Sequence, residues 1–511
     1  MPISRQRTSL GFLWGAGVAA FSGSFFLLIW FLPGAIPAEH TSGVWAALAH
    51  DFSNGILYRP LFDGQGYGGT RYMPLFFVIY GVFITLFNDP VWTGFFLSLF
   101  SALLLDAGCF FLLRESGLKA TLALPFTLLA HASIAYQLLT LTVKGDFLAA
   151  ALNVWGIYFA LRHLRKSSWF YLTLSSFAFL GAFMTKLTTV GGFAAVALYF
   201  IIRKRNQSLL FLTAATGSLA AILLLVIDLY SHGNAIASFQ ACALGAINFG
   251  YAIRTPLWFI RIIVQDPFFL IIFILTIFLF IKSVSSHWRT FPYLYFGITL
   301  ISTLIIFSSP GTDHNHLIDL LFSCIWILGL QFTGAEGFSR FYNFTFGILI
   351  SALVISWLPG TPSIKDIMGP LGKPTRETFQ YIAQRLGPNA KHMLSENPLL
   401  PIMLGQRPIV MDPFSLRVLA QKFPAIQKDF TRKIKNQFFG AVVLLDYSGA
   451  PLDRLQEAMQ KHTSLGVDRF YGEVHFPPGF LELLKSHYVL SFVKRPYVVF
   501  EPRKTGGPKG S

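Results

Sequence analysis

Glu39, Asp51, Asp63 and Arg71 fall within one stretch, Pro33 to Pro90, that also carries several tyrosines, Tyr72 among them, and the glycine-rich sequence GQGYGG. A carboxylate in such a setting can take a proton from a hydroxyl, and a guanidinium such as Arg59 or Arg71 can hold a phosphate. The same stretch also fits a plainer arrangement. Val44–Phe52 has the pattern of a short amphipathic helix at a membrane interface, Asn54-Gly55 reads as its stop, and GQGYGG as a turn.

Further along, Lys144-Gly145-Asp146 puts a charged pair between two apolar runs. It is either a salt bridge at a helix N-terminus, where an acid is favoured, or a second carboxylate facing the same cavity. Lys186 stands in Met184-Thr-Lys-Leu-Thr-Thr between apolar segments. Such a lysine either snorkels to the interface or offers a point charge to a lipid phosphate, as Arg254 and Arg261 also can. Finally, Asp313-His314-Asn315-His316 precedes an apolar run, with Asp319 one turn inside it. Histidines two apart point away from each other on a helix, so a sugar or phosphate contact fits better than a metal, and no metal ligand set is indicated.

These groups must be positioned by elements suited to lipid. Of the 511 residues 54% are apolar and 13% charged, against about 25% charged in an ordinary soluble domain. Apolar runs recur at about 10–32, 91–113, 120–139, 147–161, 169–185, 187–202, 208–230, 266–281, 291–308, 317–333 and 341–358, and a helix needs roughly 20 residues to cross a hydrocarbon core. The run Tyr72–Phe87 is shorter and decides the sidedness of everything after it. If it stays at the interface, the loops with Arg114/Lys119, Arg162/Arg165/Lys166, Arg203/Lys204/Arg205, Lys282/Arg289 and Arg340 are cytoplasmic, as the positive-inside rule asks. The expectation is a polytopic α-helical membrane protein of about 11 transmembrane helices. Its N-terminus is inside, and the acids Glu39, Asp51, Asp63, Asp146, Asp266 and Asp313 lie at the outer face. Asp106 is the exception, an intramembrane carboxylate with either a functional or a hydrogen-bonded packing role.

In their order and common side, these pieces resemble the GT-C superfamily of membrane glycosyltransferases, which includes protein O-mannosyltransferases and the lipid A aminoarabinose transferase type. The matching features are the acid-bearing first outer loop, Tyr72-Met-Pro-Leu, Lys144-Gly-Asp146, Lys186 and Asp313-His-Asn315. The chain departs from the pattern where members carry an acidic pair after the first span, for it reads Pro37-Ala38-Glu39-His40 there. The resemblance implies a bacterial inner-membrane enzyme that moves a sugar from a polyprenyl-phosphate donor to an acceptor hydroxyl of a glycan, lipid or protein. Glu39 or Asp51 would be the general base and Asp146 a further catalytic carboxylate. Asp63, Arg59, Arg71, Tyr72, Lys144, Lys186, Arg254, Arg261, Asp313, His314 and Asn315 would bind substrate.

Residues 1–360 then form the transmembrane domain, with its first outer loop at 33–90, and 361–511 a soluble extracytoplasmic α/β domain. In the latter, Met393–Leu394, Ile409–Met411, Ala441–Leu445, Tyr488–Phe492 and Tyr497–Phe500 read as strands, Ser415–Gln421 and Leu452–Lys461 as helices, and Glu396 and Asp412 lie at strand ends. The net charge of +16 is spread without a basic, aromatic-interleaved run, which argues against nucleic acid. Three unpaired-looking cysteines indicate neither a disulfide framework nor zinc. The competing reading is a transporter or flippase for a lipid-linked or small polar substrate. Such folds often show internal repeats and broken helices at the midplane, and no repeat is visible here.

Overall fold

The computed structural model describes residues 3–31, 39–243, 249–287, 290–309, 312–333, 375–446 and 470–503. The apolar run 341–358 and the helix expected at Leu452–Lys461 lie outside the described residues.

The helices of the first two thirds are α1 (Ile3–Phe31), α2 (His40–Ser53), α3 (Pro74–Phe87), α4 (Pro90–Glu115), α5 (Ala120–Leu128), α6 (Ile134–Thr140), α7 (Asp146–Lys166) and α8 (Trp169–Thr185), followed by α9 (Gly191–Ile202), α10 (Asn206–Tyr230), α11 (Asn234–Ser238), α12 (Phe249–Val264), α13 (Pro267–His287), α14 (Phe291–Ile306) and α15 (Ile318–Leu330). Among the described residues α4, α7 and α10 are long and apolar enough to cross a membrane. The number rises to five if each of two bent pairs, α5 with α6 and α12 with α13, counts as one span. At 26 residues α4 is about 39 Å long, more than a core of about 30 Å. Helix α7 is central, packed between α4 and α8. By contrast α10 buries only Ser208, Leu212 and Thr216 and exposes Leu210, Ile222, Leu225, Val226 and Leu229, a surface fit for hydrocarbon.

The segment 120–139, expected as one helix, is broken by 78° between Ala132 and Ile134, and α12 and α13 meet at 120°. One carboxylate serves both breaks. Asp266, fully buried, accepts from the amide of Phe269 in the first turn of α13 (2.9 Å), from the amide of Ala135 in α6 (3.1 Å) and from the Ser133 hydroxyl. Helix N-termini present amides without intrahelical partners, and a buried side-chain oxygen removes that cost for two helices at once. Asp106 of α4 is likewise tied into the first break, by Tyr136 Oη at 3.0 Å and His131 Nε2 at 3.0 Å.

The C-terminal residues build a four-stranded sheet of β1 (Met393–Ser395), β2 (Ala441–Leu445), β3 (Tyr488–Lys494) and β4 (Tyr497–Pro502), in the order β1-β2-β4-β3, flanked by helices such as Pro413–Lys422 and Pro424–Lys435. β1 and β2 run parallel and the other pairings are antiparallel. Ile409–Met411, expected as a strand, does not join this sheet. Val410 instead bridges Tyr67 of the glycine-rich stretch, whose amide donates to Ile409 O (2.7 Å) and whose carbonyl accepts from the Met411 amide (3.0 Å).

Helix α2 ends at Asn54-Gly55 as its sequence suggests, but it is not half-exposed at an interface. Every residue from Ser42 to Ala49 is buried. The reason is tertiary: α2 lies between α3 and the C-terminal residues Leu399–Met403, and one apolar core joins Trp45, Phe76 and Phe77 to Leu400, Met411, Val443 and Tyr497. Gly43 marks the closest approach, for a Cβ there would stand 2.0 Å from Asn397 Oδ1. Gly43→Ala is therefore expected to push α2 off the C-terminal sheet at a cost of about 1–3 kcal/mol. The measurement is thermal unfolding in detergent, where Gly297→Ala, at an open position, should leave the midpoint unchanged.

Candidate active site

The groups that could do chemistry come from four separate parts of the chain and meet at the N-terminal ends of α2 and α7. Glu39 precedes α2, and its Oε1 lies 2.7 Å from Lys144 Nζ. Ser42, in the first turn of α2, donates to Glu39 Oε2 (3.3 Å) and accepts from the amide of Val143 (3.0 Å), so the turn before α7 is stitched to the start of α2. Lys144 thus turns to Glu39 and not to its sequence neighbour Asp146. Burial alone would lower the Lys144 pKa, but Glu39 and Asp146 outweigh it and raise it above the ordinary lysine value, so the ammonium stays charged.

Asp146, the first residue of α7, is buried and takes a different cation. Lys186, which ends α8, donates to Asp146 Oδ1, and Asn315 Nδ2 donates to the same oxygen at 2.8 Å. His316 Nδ1 lies 3.3 Å from Lys186 Nζ. These residues, with Thr188, Thr189 and Asp319, line a small crevice. Asp319 accepts from Asn153 Nδ2 (2.9 Å) and Tyr295 Oη (3.2 Å). Asp313 and His314 pair with each other (2.6 Å), and Asp313 is 60% exposed. The two histidines of this segment therefore turn to different partners.

Arg71 completes the constellation from the other side. Its guanidinium stacks 3.9 Å over the Phe414 ring of the C-terminal part, beside Tyr72, whose own ring lies 4.5 Å from Trp45. Burial, opposed by Arg71 and aided by Asp412, pushes the Tyr72 phenol up to about 12, so it stays protonated. His40 also belongs here. Burial, together with His475, Lys144 and Arg71 around it, pushes its imidazole well below the ordinary value.

Other residues singled out in the sequence lie elsewhere. Asp51 is 4% exposed and both its oxygens are taken by Arg59, through Nε and through Nη2 (2.6 Å). Arg59 Nη1 donates in turn to Pro408 O (2.7 Å), making the pair a strut between the first loop and the C-terminal part. Asp63 folds its own turn, accepting from the amides of Gln65 and Gly66, and pairs at the surface with Arg407 (3.1 Å). Those amides and Arg407 outweigh the effect of its partial burial and lower its pKa. Arg254 and Arg261 stand on the exposed side of α12, where Arg261 stacks on Trp258. Within the C-terminal part, Asp412 caps the helix Pro413–Lys422, while Glu396 is buried against His475, which in turn meets His40. His40 and His475 are separated by 435 positions and nothing in their local sequence pairs them.

No family model and no curated protein matches the sequence. Solved structures do. ArnT from Cupriavidus metallidurans bound to undecaprenyl phosphate aligns over 96% of this chain and 99% of its own length at a TM-score of 0.60 and 13% identity. The oligosaccharyltransferase of Archaeoglobus fulgidus, tethered to an acceptor peptide, aligns over 92% of this chain and 72% of its own at 0.56 and 10% identity. The oligosaccharyltransferase AglB from Archaeoglobus fulgidus, with an inhibitory peptide and a dolichol-phosphate, aligns over 87% of this chain and 70% of its own at 0.51 and 11% identity. At these identities the likeness is one of fold, and the fold this chain adopts is the one seen in ArnT and in the Archaeoglobus fulgidus oligosaccharyltransferase.

Proposed function

We infer that the chain is a membrane glycosyltransferase that moves a sugar from a polyprenyl-phosphate donor to an acceptor hydroxyl at the outer face of a bacterial inner membrane. The observation that carries this reading is the convergence of two carboxylate–lysine pairs, Glu39–Lys144 and Asp146–Lys186, with Arg71 nearby, at one end of an apolar helix bundle. Support also comes from neighbours of the same fold that hold undecaprenyl phosphate and a dolichol-phosphate.

In this reading about eleven spans cross the bilayer with the N-terminus inside. Helix α3, 14 residues and about 21 Å long, is too short for a core of about 30 Å and stays at the outer side. The C-terminal part, at 375–446 and 470–503, then covers the site from the periplasm. The acceptor oxygen attacks the anomeric carbon as the bond from that carbon to the phosphate oxygen breaks. Glu39 takes the acceptor's proton, and the polyprenyl phosphate leaves with the electron pair. Glu39 suits the base because it is the more exposed of the two first-loop candidates and is held as a carboxylate acceptor by one ammonium. Lys186 and Arg71 stabilise the charge growing on the phosphate, and fixed cations do this best where water is scarce. Asp146 orients Lys186 and offers its second oxygen to the sugar or the acceptor.

The test is transfer in proteoliposomes from a panel of radiolabelled polyprenyl-phosphate sugars to membrane lipids, glycans and peptides. Label appearing in an acceptor is the expected result; its absence for a folded protein that binds undecaprenyl phosphate sinks the enzyme reading in favour of transport. Sidedness is checked separately. Because Cys109, Cys242 and Cys324 are all buried, an impermeant thiol reagent added outside should label Gln65→Cys and spare Lys119→Cys. The reverse pattern inverts the topology.

A further inference from the structure

The carboxylate of Glu396 is fully buried just beyond β1, and three donors converge on it: the amide of Leu445 (2.7 Å), the hydroxyl of Tyr471 (2.9 Å) and Nδ1 of His475 (2.6 Å). An acceptor saturated in this way places the hydrogen of His475 on Nδ1. The opposite nitrogen, Nε2, is then an acceptor, and it lies 3.1 Å from Nε2 of His40, the rings crossing at 73°. Two nitrogens so close share one hydrogen, which for a neutral pair sits on His40. The cations beside His40, Lys144 and Arg71, oppose a charge on it, as would a second charge on His475. His40 is the first residue of α2 and directly follows Glu39.

We propose that His475, oriented by Glu396, is a positioning residue of the transfer site: through His40 it clamps the turn that presents Glu39 to Lys144. This rests on Glu39 being the base. It gives the C-terminal part a role in the chemistry, because the clamp crosses from that part to the first loop. The logic is that of an orienting acid behind a histidine, with a second histidine carrying the constraint to the reacting turn.

The decisive comparison is His475→Leu with His475→Gln. Glutamine can donate its amide hydrogen to Glu396 and accept from His40; leucine can do neither. His475→Leu is expected to lower kcat about 30- to 100-fold, with donor KM and undecaprenyl phosphate affinity unchanged, since about 1 Å of misplacement costs that much. Amide hydrogen exchange over residues 39–45 should speed up with it. His475→Gln should recover kcat to within about fivefold of the unmodified protein and restore slow exchange. If His475→Leu does not fold, His40→Leu breaks the same contact from its more exposed side and should behave alike.

Equal losses in both variants, a fall in lipid-phosphate binding in step with kcat, or exchange in 39–45 indifferent to His475→Leu would overturn the proposal. So would inhibition of the unmodified protein by a chelator that His475→Gln escapes, which would assign the two nitrogens to an ion. If the unmodified protein transfers no sugar at all, the functional reading fails, and the exchange comparison still decides whether His475 clamps this turn.

Discussion

Glu39→Gln is expected to lower kcat for sugar transfer by about 10³-fold while leaving undecaprenyl phosphate binding and thermal stability close to those of the unmodified protein. The amide keeps the shape of the side chain and its contact with Ser42 but cannot hold a proton taken from the acceptor. Asp51→Asn should do the opposite. Its carboxylate sits in a buried two-point pair with Arg59, and neutralising it strands the guanidinium in a site 4% exposed, a loss of about 3–5 kcal/mol. That variant should unfold at a much lower temperature in detergent, yet turn over normally per folded molecule. Kinetics and unfolding of the two variants, measured side by side, check both halves. A catalytically silent Glu39→Gln, or a stable and inactive Asp51→Asn, would return the base to Asp51.

Lys186→Met should produce the second large effect, and it should fall on the donor. The ammonium is the cation nearest Asp146 and lines the crevice, so its loss removes positive charge from where a lipid phosphate would lie and leaves Asp146 with Asn315 as a neutral partner. Affinity for undecaprenyl phosphate is expected to fall at least about tenfold and kcat/KM about 10²- to 10³-fold, the scale of removing one fixed electrostatic contact from a poorly hydrated site. Lys186→Arg should recover part of the binding, because charge is kept while the single-point contact with Asp146 is not reproduced. Titrating undecaprenyl phosphate against both variants settles it. Unchanged affinity in Lys186→Met would move the phosphate to Arg71.

The two predictions differ in how far the sequence supported them. Lys186 was legible as a lone lysine between apolar runs, because a charge in such a place has few uses. Its partner was not legible. Local reasoning pairs Lys144 with Asp146, two residues away, whereas the fold sends Lys144 to Glu39 and gives Asp146 to Lys186. Asp51 looked equivalent to Glu39 as the base in the sequence, with Asp63 a substrate contact in the same polar loop. The structure separates them by burial and by partner: a strut with Arg59, a turn closed on its own amides, and a carboxylate left half open beside a single lysine.

Hydropathy alone determined that this chain builds an apolar helix bundle with polar chemistry gathered toward particular ends, because a helix in hydrocarbon must satisfy its backbone internally and show lipid an apolar surface. The turn residues fixed where α2 stops, and short apolar runs between helical stretches marked most of the C-terminal strands. Sequence did not determine that α2 is buried, that Tyr67 pairs with Val410, or that Glu396, His475 and His40 form a chain. Those facts arise from contacts between segments hundreds of residues apart. Such contacts leave no local periodicity, so only the packing of the C-terminal part onto the first loop decided which acid stays partly exposed and what holds it there.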